Sequence, residues 1–304
     1  MPDPQNPWIR LHSAELHAEV NPLGAQLSVL RDASGHDLLW DGDPGVWAGR
    51  APILFPIVGE LAGGKYHLGG KTYPLSRHGF ARGKPFNVVA VTASSATLRL
   101  SPDESSLAVY PFQFELDVRF AVNGTTLAVL ATVRNLGDTN MPASFGYHPG
   151  LRWPLPNGGG RSAHYIEFDT EEPAPVRCLN SAGLVRPEPH PTPVSNRRLV
   201  LDDSLFTNDA LIFDQVRSRS VTYAGADGPR IRVSFPDAPY LGIWTKPGAP
   251  FICIEPWHGM ADPAGFTGDL TAKPGIFTVA PGGAQSIEMS LTLLGRSSSL
   301  AGPT

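Results

Sequence analysis

Three short segments of the 304-residue chain carry side chains suited to moving protons: Phe251-Ile252-Cys253-Ile254-Glu255-Pro256-Trp257, Phe145-Gly146-Tyr147-His148-Pro149, and Arg77-His78-Gly79-Phe80. The first is an apolar, strand-like run that delivers one carboxylate. Alternate residues of a strand share a face, so Glu255 points where Phe251 and Cys253 point. Partly apolar surroundings disfavour the charged form, raise the carboxyl pKa and strengthen it as a base. Pro256 cannot donate to a ladder, so the pattern predicts a strand that ends at Glu255 and opens onto a rim. Trp257 would then offer a stacking wall for a ring. The same carboxylate also suits a structural role, paired with an arginine or capping a turn.

His148 precedes Pro149, which biases its backbone toward extended conformations. Gly146 and Gly150 around it suggest a strand end with close backbone approach. His78 stands between Arg77 and Gly79-Phe80-Ala81-Arg82, a polar cluster beside an aromatic. His258 follows Trp257, and nothing in its local pattern fixes it. A hydrogen-bonded structural histidine is the alternative at each position. Arg50 opens the apolar run Arg50-Ala51-Pro52-Ile53-Leu54-Phe55-Pro56, where a planar fork of donors could hold hydroxyl groups or lie on the surface. Asp209, in Phe206-Thr207-Asn208-Asp209, could accept from hydroxyls or cap a turn.

Spacing reduces the alternatives. The chain has no His-x-His pair and no close metal-ligand spacing. It has no Gly-x-Ser-x-Gly elbow and no P-loop, and Cys253 has no cue for nucleophilic use. Glu255 and Asp209 keep a glycoside hydrolase formally open as a carboxylate pair. Acid–base chemistry without metal or cofactor is the reading that uses the most of these groups.

The elements that must position them are strands. The 32 glycines and 31 prolines make up about a fifth of the chain and punctuate apolar alternations. Phe112, Phe114, Leu116, Val118, Phe120 and Val122 alternate with Gln113, Glu115, Asp117 and Arg119. Ile231, Val233 and Phe235 repeat the pattern, as do Ile287, Met289, Leu291 and Leu293. A period of two with one polar face predicts an all-β, antiparallel protein, read as two packed sheets. Asn123-Gly124 reads as a hairpin turn, and Gly63-Gly64 and Gly69-Gly70 bracket a short segment around Tyr66. No repeat of 20–50 residues stands out. Residues 171–198 read as a long surface loop inside a single domain spanning 1–304, with frayed ends over 1–8 and 297–304.

Charged residues are 17% and the net charge is −4, which gives no footprint for nucleic acid or an anionic membrane. No apolar stretch approaches the roughly 20 residues that cross a bilayer, and Met1-Pro2-Asp3-Pro4-Gln5 lacks the start of a signal peptide. Two cysteines are too few for a disulfide framework, and Cys253 reads as a buried strand residue. The expectation is a cytoplasmic protein with a small-molecule partner, a monomer or weak homodimer.

Four segments together, Pro52-Ile53-Leu54-Phe55-Pro56-Ile57-Val58-Gly59, Arg77-His78-Gly79-Phe80-Ala81-Arg82, Gly146-Tyr147-His148-Pro149 and Ile254-Glu255-Pro256-Trp257, resemble the aldose 1-epimerase (galactose mutarotase-like) superfamily, LacX-type branch. The likeness runs in order from about Leu23 to the last strand. It implies a large antiparallel β-supersandwich with a sugar site on its concave face, and interconversion of aldose anomers without a cofactor. By that resemblance Glu255 is the general base at the C1 hydroxyl and His148 the general acid at the ring oxygen. His78, Arg50 and Asp209 bind and orient hydroxyls. Glu60 stands where this branch leads one to expect a basic residue. Arg77 and Arg82 beside His78 keep a hexose 6-phosphate open as substrate, and a sugar-binding protein without turnover is a further alternative.

Overall fold

The structure, a computed structural model, describes residues 8–295. The frayed ends expected at 1–8 and 297–304 lie outside these residues, apart from Trp8. Nearly all regular structure is strand, and the two main sheets are built from antiparallel ladders.

The larger sheet has nine strands. Its centre is the hairpin of Phe114–Asn123 and Thr126–Asn135, turning at Asn123-Gly124 as expected, with Ala284–Leu294 paired on its open side. The expected alternation is present: Phe114, Leu116, Val118, Phe120 and Val122 are buried on one face. On the other, Asp117 and Glu115 pair with Arg99 and Arg134. The strand begins at Phe114, two residues later than the alternation suggests.

The smaller sheet has six strands and carries the candidate residues. Phe251–His258 lies at its middle, with Tyr240–Trp244 on one side and Phe145–Tyr147 and Gly150–Arg152 in succession on the other. Period two sorts the side chains cleanly. Leu241, Ile243, Ile252, Ile254, Phe145 and Tyr147 join the main core, which extends from Ile9 to Leu291. Cys253 and Phe251 pack instead with Trp40 on the opposite face, and Trp257 with Leu54 and Ile212. Tyr147 fastens the sheets together: its hydroxyl lies 2.7 Å from the Ile287 carbonyl and 3.0 Å from that of Val129, and accepts from the Ala131 N–H. The odd-numbered face of 251–257 is therefore free to line a site.

One expectation is corrected. The central strand does not stop at Glu255 but continues through Pro256 to His258. Ile254 directs its N–H to the Pro149 carbonyl, so two residues on, the missing donor of Pro256 faces the gap between Phe145–Tyr147 and Gly150–Arg152. No ladder bond is lost, which is why a central strand tolerates proline there. Residues 171–197 are irregular, as expected of a loop, and a few buried residues pin them to the body of the protein. Val176, Cys178, Leu179 and Val185 are buried. The buried Glu172 carboxylate accepts from the Arg217 and Ser218 N–H groups, and Val185 bonds to Asp262. Apolar residues spaced without period gave no strand signal, yet they suffice to pin a loop.

Candidate active site

His148 follows the last residue of Phe145–Tyr147, and the pairing of Gly146 with Trp257 sets it across from the central strand. Its Nε2 lies 3.2 Å from Glu255 Oε2. Both side chains are almost wholly buried, His148 at 8% exposure and Glu255 at 1%. Neither Glu255 Oε2 nor His148 Nδ1 has a hydrogen-bond partner of good geometry. Buried polar groups are rarely left so. Here they face a cavity of about 250 Å3, also lined by His78, Arg82, Asp209 and Trp257.

Burial holds the Glu255 carboxyl well above the usual carboxylate range, and nearby Asp209 adds to the shift. The Trp257 N–H and the Arg77 charge oppose it weakly; the indole nitrogen is near enough to act electrostatically but makes no well-formed hydrogen bond. Burial likewise pushes His148 down to about 3, with the Arg82 and Arg77 charges acting the same way. Both directions have one cause: burial disfavours the charged form of either partner.

The His148 imidazole is boxed by rings. Trp47 leans on it at 5.1 Å between centroids, while Trp244 and His78 each meet it edge-on at 5.8 Å. His78 is held by reciprocal bonds to Gly59: its N–H donates to the Gly59 carbonyl, and its Nδ1 accepts from the Gly59 N–H at 3.1 Å. An accepting Nδ1 in a neutral ring leaves the proton on Nε2. Burial, then His148 and the two arginines, keep this ring far below its ordinary pKa, so it stays neutral and serves as a donor.

This placement needs a strained backbone. His78 has φ +65°, and the next residue, Gly79, has φ +70° with its Cα against the Phe55 carbonyl, which accepts from Phe80 and Ala81. Gly79→Ala would drive a Cβ into that backbone. The left-handed conformation alone costs about 1–3 kcal/mol, and the collision adds to it. Chemical denaturation should show a loss above that range, and a change below about 0.5 kcal/mol would refute this account of the turn.

Trp257 forms part of the floor more than an open wall. Its indole is 5% exposed and fills the space over Gly146 and Gly242, where any Cβ would strike the ring. Asp209 lines the cavity at φ +67°, a conformation that aspartate tolerates better than most residues. Arg82 lines it too and donates to the Arg77 carbonyl at 3.0 Å. Arg50 does not. Its guanidinium donates to the Ser28 carbonyl at 2.7 Å and lies over Trp8. His258, of even parity, turns away from the site and packs edge-on against Phe277 at 4.8 Å.

Trp47 and Trp244 carry no local signal in the sequence. Each lies beside glycine-rich or strand sequence with no period to mark it, and only the folded sheet brings both against His148. His148, Cys253 and Glu255 also place one potential ligand atom each within 4.8 Å of one another. Nitrogen, sulfur and oxygen together are a set that zinc accepts. Burial and the neighbouring Glu255 push the Cys253 thiol well up, so the free protein keeps it protonated.

Residues 7–275 match the family model described as aldose 1-epimerase. The chain belongs to the aldose 1-epimerase family. Within it the chain falls in the LacX-type branch. It is 33% identical over 296 residues to the chromosomal LacX protein of Lactococcus lactis subsp. lactis, covering 94% of this chain and 99% of that one. A galactose mutarotase related enzyme from Lactobacillus acidophilus superposes with a TM-score of 0.87 at 30% identity, covering 95% and 97% of the two chains. A galactose mutarotase-like protein from Lactobacillus casei ATCC 334 does so at 0.88 and 28%, covering 94% and 100%. The fold is that of galactose mutarotase-like proteins.

Proposed function

We propose that this aldose 1-epimerase family member interconverts the α and β anomers of an aldose in the 250 Å3 cavity. Glu255 and His148 supply the proton transfers. The observation that carries the reading is their buried contact at 3.2 Å, with polar atoms left over for a ligand.

Mutarotation removes one proton from O1 and delivers one to O5 as the C1–O5 bond breaks. The aldehyde turns about C1–C2 and closes on its other face, with acid and base exchanging roles. A carboxyl and an imidazole in contact are equipped for this. Sugar hydroxyls entering the cavity favour the polar carboxylate–imidazolium form of the pair. Glu255 then takes the O1 proton while His148 gives one to O5. Neutral His78 and charged Arg82 donate to the hydroxyls, and Asp209 accepts. A positioned acid or base contributes on the order of 10²–10⁴-fold.

Burial also shapes the pH dependence. A proton on His148 places a buried positive charge beside Arg77 and Arg82. The acid limb of activity should therefore lie below the ordinary imidazole value of about 6.5. Loss of the last proton leaves a buried negative charge beside Asp209, so the alkaline limb lies above the ordinary carboxylate range. Polarimetry on α-glucose should show an acid limb displaced below that imidazole value. A single titration near 6.5 would mean that His148 works as an isolated, solvated imidazole.

Arg77 and Arg82 in the cavity wall support a second reading, a hexose 6-phosphate as substrate. Rates for glucose 6-phosphate against glucose and galactose separate the two.

A further inference from the structure

Cys253 and Glu255 stand two residues apart on the central strand, so their side chains are neighbours on one face. The register sets His148 across from them, because Gly146 pairs with Trp257 and Gly150 with Cys253. Gly150 carries no side chain opposite Cys253, and the sulfur, the imidazole and the carboxylate come within 4.8 Å of one another. We propose that these three side chains form a binding site for zinc, a thiophilic divalent cation that silences the pair by taking the lone pairs used in proton transfer. The binding stands on this geometry alone, and the silencing rests on the anomer exchange proposed above.

The donor set and its spacing match what zinc requires. Thiolate, imidazole and carboxylate are its usual protein ligands, and a site with three of them keeps a fourth position open. Bond lengths of about 2.0–2.3 Å put tetrahedral ligands roughly 3.3–3.6 Å apart. His148 Nε2 and Glu255 Oε2, at 3.2 Å, are already close to that spacing. The sulfur has to close by roughly 1 Å, which a small rotation about the Cα–Cβ bond of Cys253 supplies. Glu255 Oε2 is buried without a hydrogen-bond partner, so a cation there displaces no existing bond. A buried polar atom left unpaired is an independent mark of a ligand site.

Charge balance favours occupation. A coordinating thiol loses its proton outright, so thiolate and carboxylate together cancel the two charges of the cation. The buried site then holds no net charge, whereas either anion alone is costly at this depth. Arg77 and Arg82 in the cavity wall oppose a cation, while Asp209 on the same wall favours it, and Arg77 lies 3.9 Å from Glu60. The cavity reaches His148 and Glu255 directly and is the path of entry. Cys253 closes the site behind them, packed with Trp40, Trp47 and Phe251. Magnesium, which takes oxygen ligands, finds only the carboxylate.

Calorimetric titration of the reduced wild-type protein with zinc chloride should show a saturable site that magnesium chloride does not occupy. Cobalt(II), a coloured substitute for zinc, should add a thiolate-to-cobalt charge-transfer band. Cys253→Ala should lose that band and weaken zinc binding at least about 100-fold, the upper end of what a change behind a metal ligand costs. The chain's other thiol is Cys178, so a band kept in Cys178→Ala assigns it to Cys253 even if Cys253→Ala fails to fold. Zinc should also stop anomer exchange by the wild type, and a chelator should restore it. No zinc binding, cobalt bound without a thiolate band, or zinc binding unchanged in Cys253→Ala would overturn the site. Zinc bound through Cys253 with anomer exchange unimpaired would overturn the silencing. A protein that exchanges no anomers yet binds zinc through Cys253 would refute the catalytic reading and leave the metal site standing.

Discussion

Glu255→Gln should reduce anomer exchange by on the order of 10²–10⁴-fold while leaving sugar affinity nearly unchanged. Glutamine keeps the volume of the buried side chain and can still meet hydroxyls, but it cannot take or give the proton. A structural carboxylate would behave differently, because its removal would disturb the sheet and weaken binding and turnover together. A second signature follows from burial. Glu255 has a folded-state pKa above its unfolded value, so its protonated form favours the fold at low pH. That contribution fades as pH rises past the unfolded value of about 4.3, until the folded carboxyl itself ionises. The Gln variant carries no such cost. Its melting temperature should match wild type near pH 4 and exceed it increasingly as pH rises above the unfolded carboxyl value. Each unit of upward shift is worth about 1.4 kcal/mol, or roughly 2 °C or more in a chain of this size. Unchanged turnover in Glu255→Gln would remove the carboxylate from the mechanism. A variant less stable than wild type at pH 8 would contradict the account of its burial.

The second large effect concerns a pair outside the cavity. Lys273 Nζ lies 2.5 Å from Asp262 Oδ1, and each residue is 3% exposed. The other carboxylate oxygen accepts from Ala62 N–H. The Asp262 backbone donates to the Glu60 carbonyl and accepts from Val185. One residue thus ties the segment after Gly59, which holds His78, to the loop that supplies Leu179. Removing one partner of a buried ion pair strands the other charge, at a cost of about 3–5 kcal/mol. Lys273→Met should lose that much in chemical denaturation and raise KM for sugar more than it lowers kcat. Adding Asp262→Asn should recover part of the stability, because no charge is then left unpaired. A single variant within about 1 kcal/mol of wild type would show that Asp262 is satisfied by its backbone bonds alone.

The parity of Phe251 to Glu255 was enough to place the carboxylate on the face it shares with Cys253, because alternation is a local property of a strand. His148 and His78 were marked by proline and glycine neighbours that constrain the backbone. Their meeting with Glu255 depends on strand pairing across distant parts of the chain, which no local period encodes. The same limit explains Trp47 and Trp244, which enter the site only through pairing and packing. Pro256 misled because its missing donor was judged without knowing that a gap lay beside it. Arg50 misled because a strand-mouth arginine can turn to either face, and here the Ser28 carbonyl holds it away. The loop over 171–197 reads as irregular from its sequence, but its role as a wall of the cavity rests on Leu179 packing with Leu54 and Ile212 and on Val185 bonding to Asp262.

The most direct measurement is the rate at which freshly dissolved α-glucose and α-galactose reach anomeric equilibrium, followed by polarimetry with catalytic amounts of protein. First-order acceleration proportional to protein concentration is expected, and it should be absent with Glu255→Gln. Saturable sugar binding without acceleration would contradict it and leave the Glu255–His148 pair as a recognition site.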